Sequence, residues 1–461
     1  MTIPLFFELI SNKTNLNVFI TSTLITLFVG FSLTIAFKNE KKIVNIKDTL
    51  VVTSFSLPIL CIFASLPFFI GSQVETYADA FFEATSGLTT TGATIFNNVE
   101  SLSSGFLIWR SMLQWIGGLG IIVFAIAILP ILNLGGMQLF TQDWNEKSED
   151  LHYRSKELAK ILGGIYLLFT FLIFIMLWFF GLSSFDALCH SMTTVATGGF
   201  STRSSSIGSY NNLGVELTIV LGMILASLPF TLFISSIKNK LVFFEDKQVI
   251  TFLMFIVFFT LIIAIWLHFE NNIDIFTALR LAVFNGVSLM TGTGYSTSNF
   301  SDWGSFATSI LLLMMLIGGC TGSTTGGLKV FRIQILFYSI IKEIRKINSP
   351  RSVFTISYKN KLIDHGIFNS VILMIVLFIS GVLFVSIVFS LHGYDFLTSV
   401  SAGITSIAVV GPGLGNIIGP EESFSTLPSK LKIVLSTAMI IGRLEFLTFL
   451  ILLTPRFWFQ K

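Results

Sequence analysis

Long apolar runs alternate with short polar segments along the whole chain. Each run has the roughly 20 residues that a helix needs to cross about 30 Å of hydrocarbon. The runs lie near 17–36, 49–71, 105–135, 156–181, 213–237, 247–269, 306–345, 363–391 and 429–455. The pattern therefore predicts an all-α polytopic membrane protein, with glycines interrupting the seventh run.

Four of the connections between the runs resemble one another. Each begins with an aspartate, continues with apolar residues at helical spacing and ends in a stretch rich in glycine and threonine. The aspartates are Asp79, Asp186, Asp274 and Asp395, and the stretches are TTTGAT (89–94), VATGGFST (195–202), TGTGYST (291–297) and VVGPGLG (409–415). Aligning Gly92, Gly198, Gly294 and Gly411 predicts four repeats of a span, a half-helix with its loop, and a second span.

These repeats define the predicted organisation of the chain. Residues 1–48 form one extra N-terminal helix and a cytoplasmic loop, since 1–16 are too short to span. The four pore-forming units are 49–135, 156–237, 247–345 and 363–461. We expect them to surround a pseudo-fourfold pore, because irregular backbone at membrane depth persists only where protein or a water-filled cavity surrounds it.

The residue types in the four loops favour a monovalent cation as the solute. Glycine allows left-handed backbone, so successive carbonyls can point the same way, and threonine hydroxyls add further oxygens. The half-helices would direct the negative ends of their dipoles towards the same cavity. The sequence thus predicts a ring of oxygen ligands without a fixed carboxylate.

Composition and charge agree with a membrane protein and predict its orientation. The chain has 53% hydrophobic and 11% charged residues and a mean hydropathy of +0.83. Of its 28 Lys and Arg residues, 21 lie in segments 38–47, 147–160, 238–247, 329–361 and 456–461, which we place in the cytoplasm with the C-terminus. The basic residues counted on the outer side are Lys13, Arg110, Arg203, Arg280, Lys430 and Lys432. Because the positive charge is dispersed over separate loops, nucleic-acid binding is not expected.

Few residues suggest other chemistry. The scattered Cys61, Cys189 and Cys320 predict neither a disulfide framework nor a metal site. The four aspartates favour capping of the half-helices over a role as vestibule charges. His190 is interpreted as a hydrogen-bonded buried side chain, and no catalytic residue or organic cofactor is expected.

Several motifs together resemble a known transporter family. They are SGLTTTGAT, QWIGGLGIIV (114–123), DALCHSMTTVATGGFST (186–202) and IGGCTGSTTGGLKVFR (317–332), in addition to the four glycine loops. The chain is similar to the Trk/Ktr/HKT superfamily of potassium transporters, and most of all to its TrkH-type membrane subunits. The resemblance extends from about residue 49 to the C-terminus. One departure is that Trk-type members typically carry two extra N-terminal helices, whereas one is predicted here.

The resemblance implies a potassium transporter of the cytoplasmic (inner) membrane. It implies a homodimer and a cytosolic, nucleotide-binding regulatory subunit of the TrkA kind. It implies that potassium is held at Thr90, Thr91, Gly92, Ala196, Thr197, Gly198, Gly292, Thr293, Gly294, Val409, Val410 and Gly411. It also implies a gate under this filter, formed by Gly318, Gly319, Gly322, Ser323, Thr324, Thr325, Gly326 and Gly327 together with Arg443.

Arg443 is also notable without the resemblance. Burying an arginine in a membrane helix is costly unless it meets water or a partner, so we expect it to face the pore. The alternative is an ion pair with Glu445, although residues two apart on a helix point to different faces.

Two other function classes remain as alternatives. An alternating-access carrier for another small solute would show inverted repeats and helix N-termini directed at an anion. An intramembrane hydrolase would need a nucleophile with a base, or a metal cluster, at membrane depth. Parallel repeats and the missing catalytic pair favour cation transport.

Overall fold

The structure is a computed structural model that describes most of the chain. It describes residues 1–11, 15–38, 46–128, 151–236, 242–349, 351, 357–358, 361–363 and 365–459. Parts of the predicted units and cytoplasmic segments, including 129–135, 147–150, 237–241 and 460–461, lie outside these residues.

The described residues are almost entirely helical. The short helix α1 (Thr2–Ile10) and the 21-residue helix α2 (Leu16–Ala36) come first, and the remaining helices follow in four groups. These are α3 (Ile46–Ile70), α4 (Tyr77–Leu88) and α5 (Ser104–Val123); α6 (Leu151–Phe179), α7 (Ser184–Val195), α8 (Leu213–Ser227), α9 (Phe230–Ser236) and α10 (Val242–Glu245); α11 (Lys247–Phe269), α12 (Ile275–Met290), α13 (Ser305–Ile317) and α14 (Val330–Asn348); and α15 (His365–Leu391), α16 (Phe396–Ala408), α17 (Ser429–Leu444), α18 (Phe446–Leu452) and α19 (Pro455–Phe459). A two-residue antiparallel hairpin, β1 (Ser357–Tyr358) and β2 (Lys361–Leu362), lies between the last two groups.

The all-α membrane fold is confirmed, whereas the predicted continuity of some spans is wrong. Six helices of the described part are long and apolar enough to cross a membrane, or seven if the bent pair α8 and α9 is one span. The predicted span 213–237 bends by 89° between α8 and α9, where Pro229 interrupts the helix. The predicted span 429–455 breaks at Glu445, which has a φ of +62°. The glycine break predicted in the seventh run separates α13 from α14.

The N-terminal residues form a short helix that packs on the first group. Helix α1 contacts α5, and the buried Glu8 accepts hydrogen bonds from the hydroxyl of Ser103 and the amide of Gly105. Glu8 therefore satisfies donors at the start of α5, where a helix has free amides. As predicted, this segment is too short to cross a membrane.

The four groups pack in a closed cycle. Each of the short helices α4, α7, α12 and α16 lies against the long helix that precedes it. The following long helix of each group packs on the short helix of the next group: α5 on α7, α8 on α12, α13 on α16, and α17 back on α4. The ends of the four short helices are thereby brought to one place.

The aspartates at the starts of the short helices act as caps, as predicted. Asp274 and Asp395 are N-cap residues that accept main-chain amide hydrogen bonds. Asp79 and Asp186 lie in the first turn, three residues after the N-caps Thr76 and Ser183, with which they exchange hydrogen bonds. These side chains fix the start of each short helix.

Candidate functional site

The four glycine loops begin with the same helix-ending turn. Thr90, Thr197, Gly292 and Val409 each have a positive φ, between +49° and +75°. In each loop the next residue donates its amide to the carbonyl five positions back, at 2.9 to 3.0 Å, as in a Schellman motif. Left-handed backbone is strained for β-branched residues such as threonine and valine. The surrounding structure therefore has to hold this turn in place.

The turns define a structural register that corrects the second loop. Counting two residues on from each turn leads to Gly92, Gly199, Gly294 and Gly411. The first three of these have φ values of +89°, +78° and +84°. The predicted alignment of Gly198 with Gly92 is thus one residue short. The second loop's equivalents of Thr90, Thr91 and Gly92 are Thr197, Gly198 and Gly199, so Ala196 lies before the turn.

The four loops touch one another in a closed ring. A Cβ atom placed on Gly92 would lie 2.1 Å from the main-chain oxygen of Gly198, and one on Gly199 would lie 1.9 Å from that of Thr293. A Cβ atom on Gly294 would lie 2.8 Å from the amide nitrogen of Gly411, and one on Gly411 would lie 3.1 Å from the oxygen of Thr91. The ring can only be this narrow because these positions are glycine.

Helix α5 holds the first two loops with two polar side chains one turn apart. The Gln114 amide donates to the oxygen of Gly198 at 2.6 Å and accepts from the amide of Phe200 at 3.0 Å. The Arg110 guanidinium pairs with Glu83 at 2.8 Å and donates to the oxygen of Ser201 at 3.0 Å. Both Arg110 and Glu83 are buried. Arg110 is therefore not the surface charge of the outer side that the charge count predicts.

The third loop is tied to the second short helix through Tyr295. Its buried hydroxyl lies 2.5 Å from that of Thr193, and its main-chain oxygen accepts from Ser288 at 2.6 Å. His190, which belongs to the same helix, forms hydrogen bonds with the main-chain oxygen of Asp186 and the hydroxyl of Ser201. The interpretation of His190 as a hydrogen-bonded buried residue is confirmed.

Two further ion pairs join neighbouring groups near the short helices. Lys432 of α17 donates to Asp79 of α4 at 2.6 Å, and Arg280 of α12 pairs with Glu216 of α8 at 2.7 Å. The sequence counts Lys432 and Arg280 among the basic residues of the outer side. In the structure each of them forms an ion pair with an acidic residue of a neighbouring group. Such pairs fix how adjacent groups meet.

The glycine-rich segment between α13 and α14 lies directly beneath the ring. Gly318, Gly322 and Gly327 have positive φ values, and a Cβ atom on Gly326 would lie 2.1 Å from the oxygen of Ala408. The Thr324 hydroxyl lies 3.0 Å from that of Thr197 in the second loop. We call residues 318–327 the gate loop, after the role that the sequence predicts for them.

The gate loop is held by the bend between α8 and α9. That bend leaves the carbonyls of Ala226 and Ser227 without helical partners, and the amides of Thr324 and Cys320 donate to them at 3.3 and 3.1 Å. In return, the amide of Phe230 donates to the oxygen of Gly322 at 2.9 Å. The break in the predicted span 213–237 therefore supplies the main-chain carbonyls to which the gate loop is hydrogen-bonded.

A cluster of charges lies at the C-terminal end of the gate loop. Glu445 pairs with Arg332 at 2.7 Å and lies 3.9 Å from Lys329, so it does not form the alternative pair with Arg443. Arg443 is 6% exposed, and its Nε and Nη2 atoms have no hydrogen-bond partner among the described residues. It borders a small cavity together with Thr325 and Gly326 of the gate loop.

On the other side of the ring the four loops line a common vestibule. Gly92, Gly199, Gly294 and Gly411 all border this open cavity, whose rim includes Arg203, Glu421 and Glu422. Within the described residues, no group of three or more His, Cys, Asp or Glu side chains could hold a metal ion. In the ring itself, the oxygen atoms belong to main-chain carbonyls and threonine hydroxyls.

Sequence reasoning missed Gln114, Arg110, Glu83 and Tyr295 as supports of the loops. A polar or charged residue inside a predicted span is itself a functional signal. That signal was present for Arg110 and Gln114, which lie four residues apart in the third run. Their partners could not be identified, because Glu83 and Gly198 belong to distant segments.

Comparison with known proteins gives consistent matches. The sequence profile of a family described as "TrkH: Cation transport protein" matches residues 15–458. The Trk system potassium uptake protein TrkI of Halomonas elongata is 38% identical over 412 residues, covering 89% of this chain and 84% of that protein. The Trk system potassium uptake protein TrkH of Escherichia coli is 36% identical, covering 94% and 90%. The crystal structure of the potassium transporter TrkH from Vibrio parahaemolyticus superposes with a TM-score of 0.90 at 31% identity, covering 99% and 95%.

Proposed function

Because the chain belongs to the TrkH family of cation transport proteins, we propose that it takes up potassium through the ring formed by its four loops. The relatives are named as potassium uptake proteins of the Trk system, and the transported ion here is potassium. The ion passes from the vestibule through the ring and then past the gate loop. Its ligands are the oxygens of residues 90–92, 197–199, 292–294 and 409–411.

The observation that carries this proposal is the closed contact of four equivalent loops. Each loop presents main-chain oxygens at the end of a helix, where the helix dipole favours a cation. A ring of such oxygens can replace the hydration shell of a potassium ion. An alternating-access carrier for another solute has no comparable support, because the short helices direct their C-terminal ends at the ring.

The gate loop closes the path beneath the ring. It is buried directly under the second and fourth loops and is continuous with α14. The amphipathic α14 extends beyond its buried N-terminal half, with exposed Phe337 and Ile340 beside Lys342 and Arg345. A cytosolic regulatory subunit of the TrkA kind that binds this basic helix would move the gate loop through the Arg332–Glu445 pair. We place the end of the protein that carries α14 in the cytoplasm. We also propose that the protein is a homodimer.

Selectivity tests the role of the ring. Gly92→Ser should lower the potassium-to-sodium permeability ratio about tenfold, because its side chain would meet the oxygen of Gly198 and force the ring open. The measurement is potassium, rubidium and sodium flux into proteoliposomes. Gly393→Ser is the matched control, since Gly393 has a φ of +85° but no atom within 4 Å of its Cβ position. Equal sodium and potassium permeability in the parent chain would refute the proposal, and exchange of another solute without ion flux would support a carrier.

Arg443 tests the path below the ring. We expect Arg443→Gln to raise potassium flux about tenfold, because the unpaired guanidinium adds to the barrier for a passing cation. Lys430→Gln, on the exposed start of the same helix, should leave the flux unchanged. Unchanged flux in a normally folded Arg443→Gln protein would leave Arg443 with a structural role.

A further inference from the structure

A side chain of α11 also holds the gate loop, at a distance from the bend between α8 and α9. The Oε1 atom of Gln248, in the first turn of α11, accepts a hydrogen bond from the amide of Thr321 at 2.9 Å. The main-chain oxygen of Gln248 accepts a weak hydrogen bond from the thiol of Cys320 at 4.0 Å. All three residues are buried. The gate loop therefore lies directly against the start of α11.

The position of Gln248 is itself fixed by its neighbours. Asp246 caps α11, and one oxygen of its side chain accepts from the amide of Gln248 at 2.8 Å. Gln334 of α14 donates to the main-chain oxygen of Lys247 at 2.9 Å and to the hydroxyl of Thr251 at 2.7 Å. The start of α11 is thus bonded to α14, the helix that follows the gate loop. Gln248 is therefore a stationary acceptor against which the loop can be held.

The side chain of Gln248 is only half satisfied in this place. Its Nε2 atom is buried and has no hydrogen-bond partner among the described residues. A buried donor without a partner is costly, whereas an apolar side chain of the same size leaves nothing unpaired. Methionine would have a similar length and flexibility. What glutamine supplies here and methionine would not is the acceptor for Thr321.

Taking residues 318–327 as the gate, as proposed above, we propose that Gln248 is a positioning residue that keeps the gate loop closed through Thr321. The closed loop buries the amide of Thr321, and a buried main-chain amide needs an acceptor. In an open loop this amide can bond to water instead, so Gln248 stabilises the closed loop alone. Removal of the acceptor shifts the loop towards its open position.

The test removes the acceptor without changing the size of the side chain. In Gln248→Met the amide of Thr321 is left buried and unpaired, so the open population should rise about tenfold. Gln248→Glu keeps an oxygen that can accept from Thr321 and should behave as the parent does. Trp266→Phe is the matched control, because it removes a different hydrogen bond of α11, from the indole to the oxygen of Trp303, at the opposite end of the helix.

Cys320 reports the position of the loop independently of conduction. Its thiol is fully buried against Gln248, so a small alkylating reagent reaches it when the loop moves away. The full chain, with Cys61 and Cys189 replaced by alanine, is treated with N-ethylmaleimide in nanodiscs, and labelling of Cys320 is followed by mass spectrometry. We expect Gln248→Met to be labelled about tenfold faster than the parent, and Gln248→Glu and Trp266→Phe to be labelled at the parent's rate.

Three results would overturn the proposal. They are equal labelling of the parent and Gln248→Met, equally fast labelling of Gln248→Glu and Gln248→Met, and faster labelling of Trp266→Phe to the same extent. Thermal unfolding of all variants shows whether a change in labelling follows a general loss of stability.

Potassium flux measured on the same proteins separates this inference from the proposed function. A flux that rises together with the labelling of Gln248→Met supports both. Faster labelling with an unchanged flux would support the role of Gln248 in holding the loop and would refute the loop as the barrier to potassium.

Discussion

The ring and the gate loop are both irregular backbone at membrane depth, but they are held differently. Side chains from neighbouring helices fasten the ring, with Gln114, the buried Arg110–Glu83 pair and Tyr295 each bonded to a loop or to the helix behind it. Among the described residues, the gate loop is fastened only by neutral groups: its amides bond the carbonyls of Ala226 and Ser227 at the bend between α8 and α9, and the amide of Thr321 donates to the side chain of Gln248 in α11.

This difference corresponds to the roles that we propose for the two regions. A ring that selects an ion by its oxygen positions must keep those positions, and buried charged pairs are costly to break. A gate has to exchange one set of contacts for another, and a few neutral hydrogen bonds contribute only about 0.5–1.5 kcal/mol each. We therefore expect loss of ring supports to destabilise the fold and loss of gate contacts to alter flux.

The largest effect is expected from Arg110→Met, which leaves Glu83 buried without its partner. Removing one member of a buried ion pair costs about 3–5 kcal/mol, so the protein should unfold at a much lower temperature. Thermal unfolding in detergent measures the change. Arg203→Met is the control, since Arg203 lies 3.6 Å from Asp186 with its side chain 44% exposed, and such a pair contributes less than about 1 kcal/mol. Similar losses in both variants would contradict a special role of the buried pair.

A smaller effect on stability and a clear effect on flux are expected at the gate loop. Removing Ser323, Thr324 and Thr325 shortens the loop and deletes its contact with Thr197. Potassium flux should rise about tenfold and no longer respond to the cytosolic subunit, because the barrier below the ring is lost. A shortened protein that folds and binds its partner but conducts no faster would show that this loop is not the gate.

The smallest effect is expected from Tyr295→Phe, which removes one hydroxyl behind the ring. The lost hydrogen bond to Thr193 should cost about 1 kcal/mol and lower the preference for potassium over sodium. Tyr166→Phe is the control, because its hydroxyl donates to the oxygen of Trp115 instead. We expect a similar loss of stability there with unchanged selectivity. Equal potassium-to-sodium selectivity in both variants would show that the Tyr295 hydroxyl does not influence the ring.

Much of the fold could be predicted from local patterns. The apolar runs predicted the membrane helices, and the break in the seventh run was visible as five glycines from Gly318 to Gly327 interspersed with small residues. The breaks at Pro229 and Glu445 were missed because apolar residues surround both, so hydropathy continues across them. A proline inside an apolar run was the available signal for the first break.

The register of the second loop shows where sequence alignment fails. Two adjacent glycines, Gly198 and Gly199, offer equally good matches to Gly92, and sequence alone cannot choose between them. The turn with positive φ at Thr197 decides in favour of Gly199, because the distance from the helix end to the ring is fixed by backbone geometry.

The sequence by itself determined the membrane helices, the capped short helices and the chemistry of the loops. These depend on hydrophobicity, caps and glycine, which act within a few residues. Only the tertiary structure decided which loops touch, that Arg110 meets Glu83, and that the gate loop satisfies the carbonyls freed at the bend beside Pro229. In lipid every polar group needs a partner within the protein, and those partners come from segments distant in sequence.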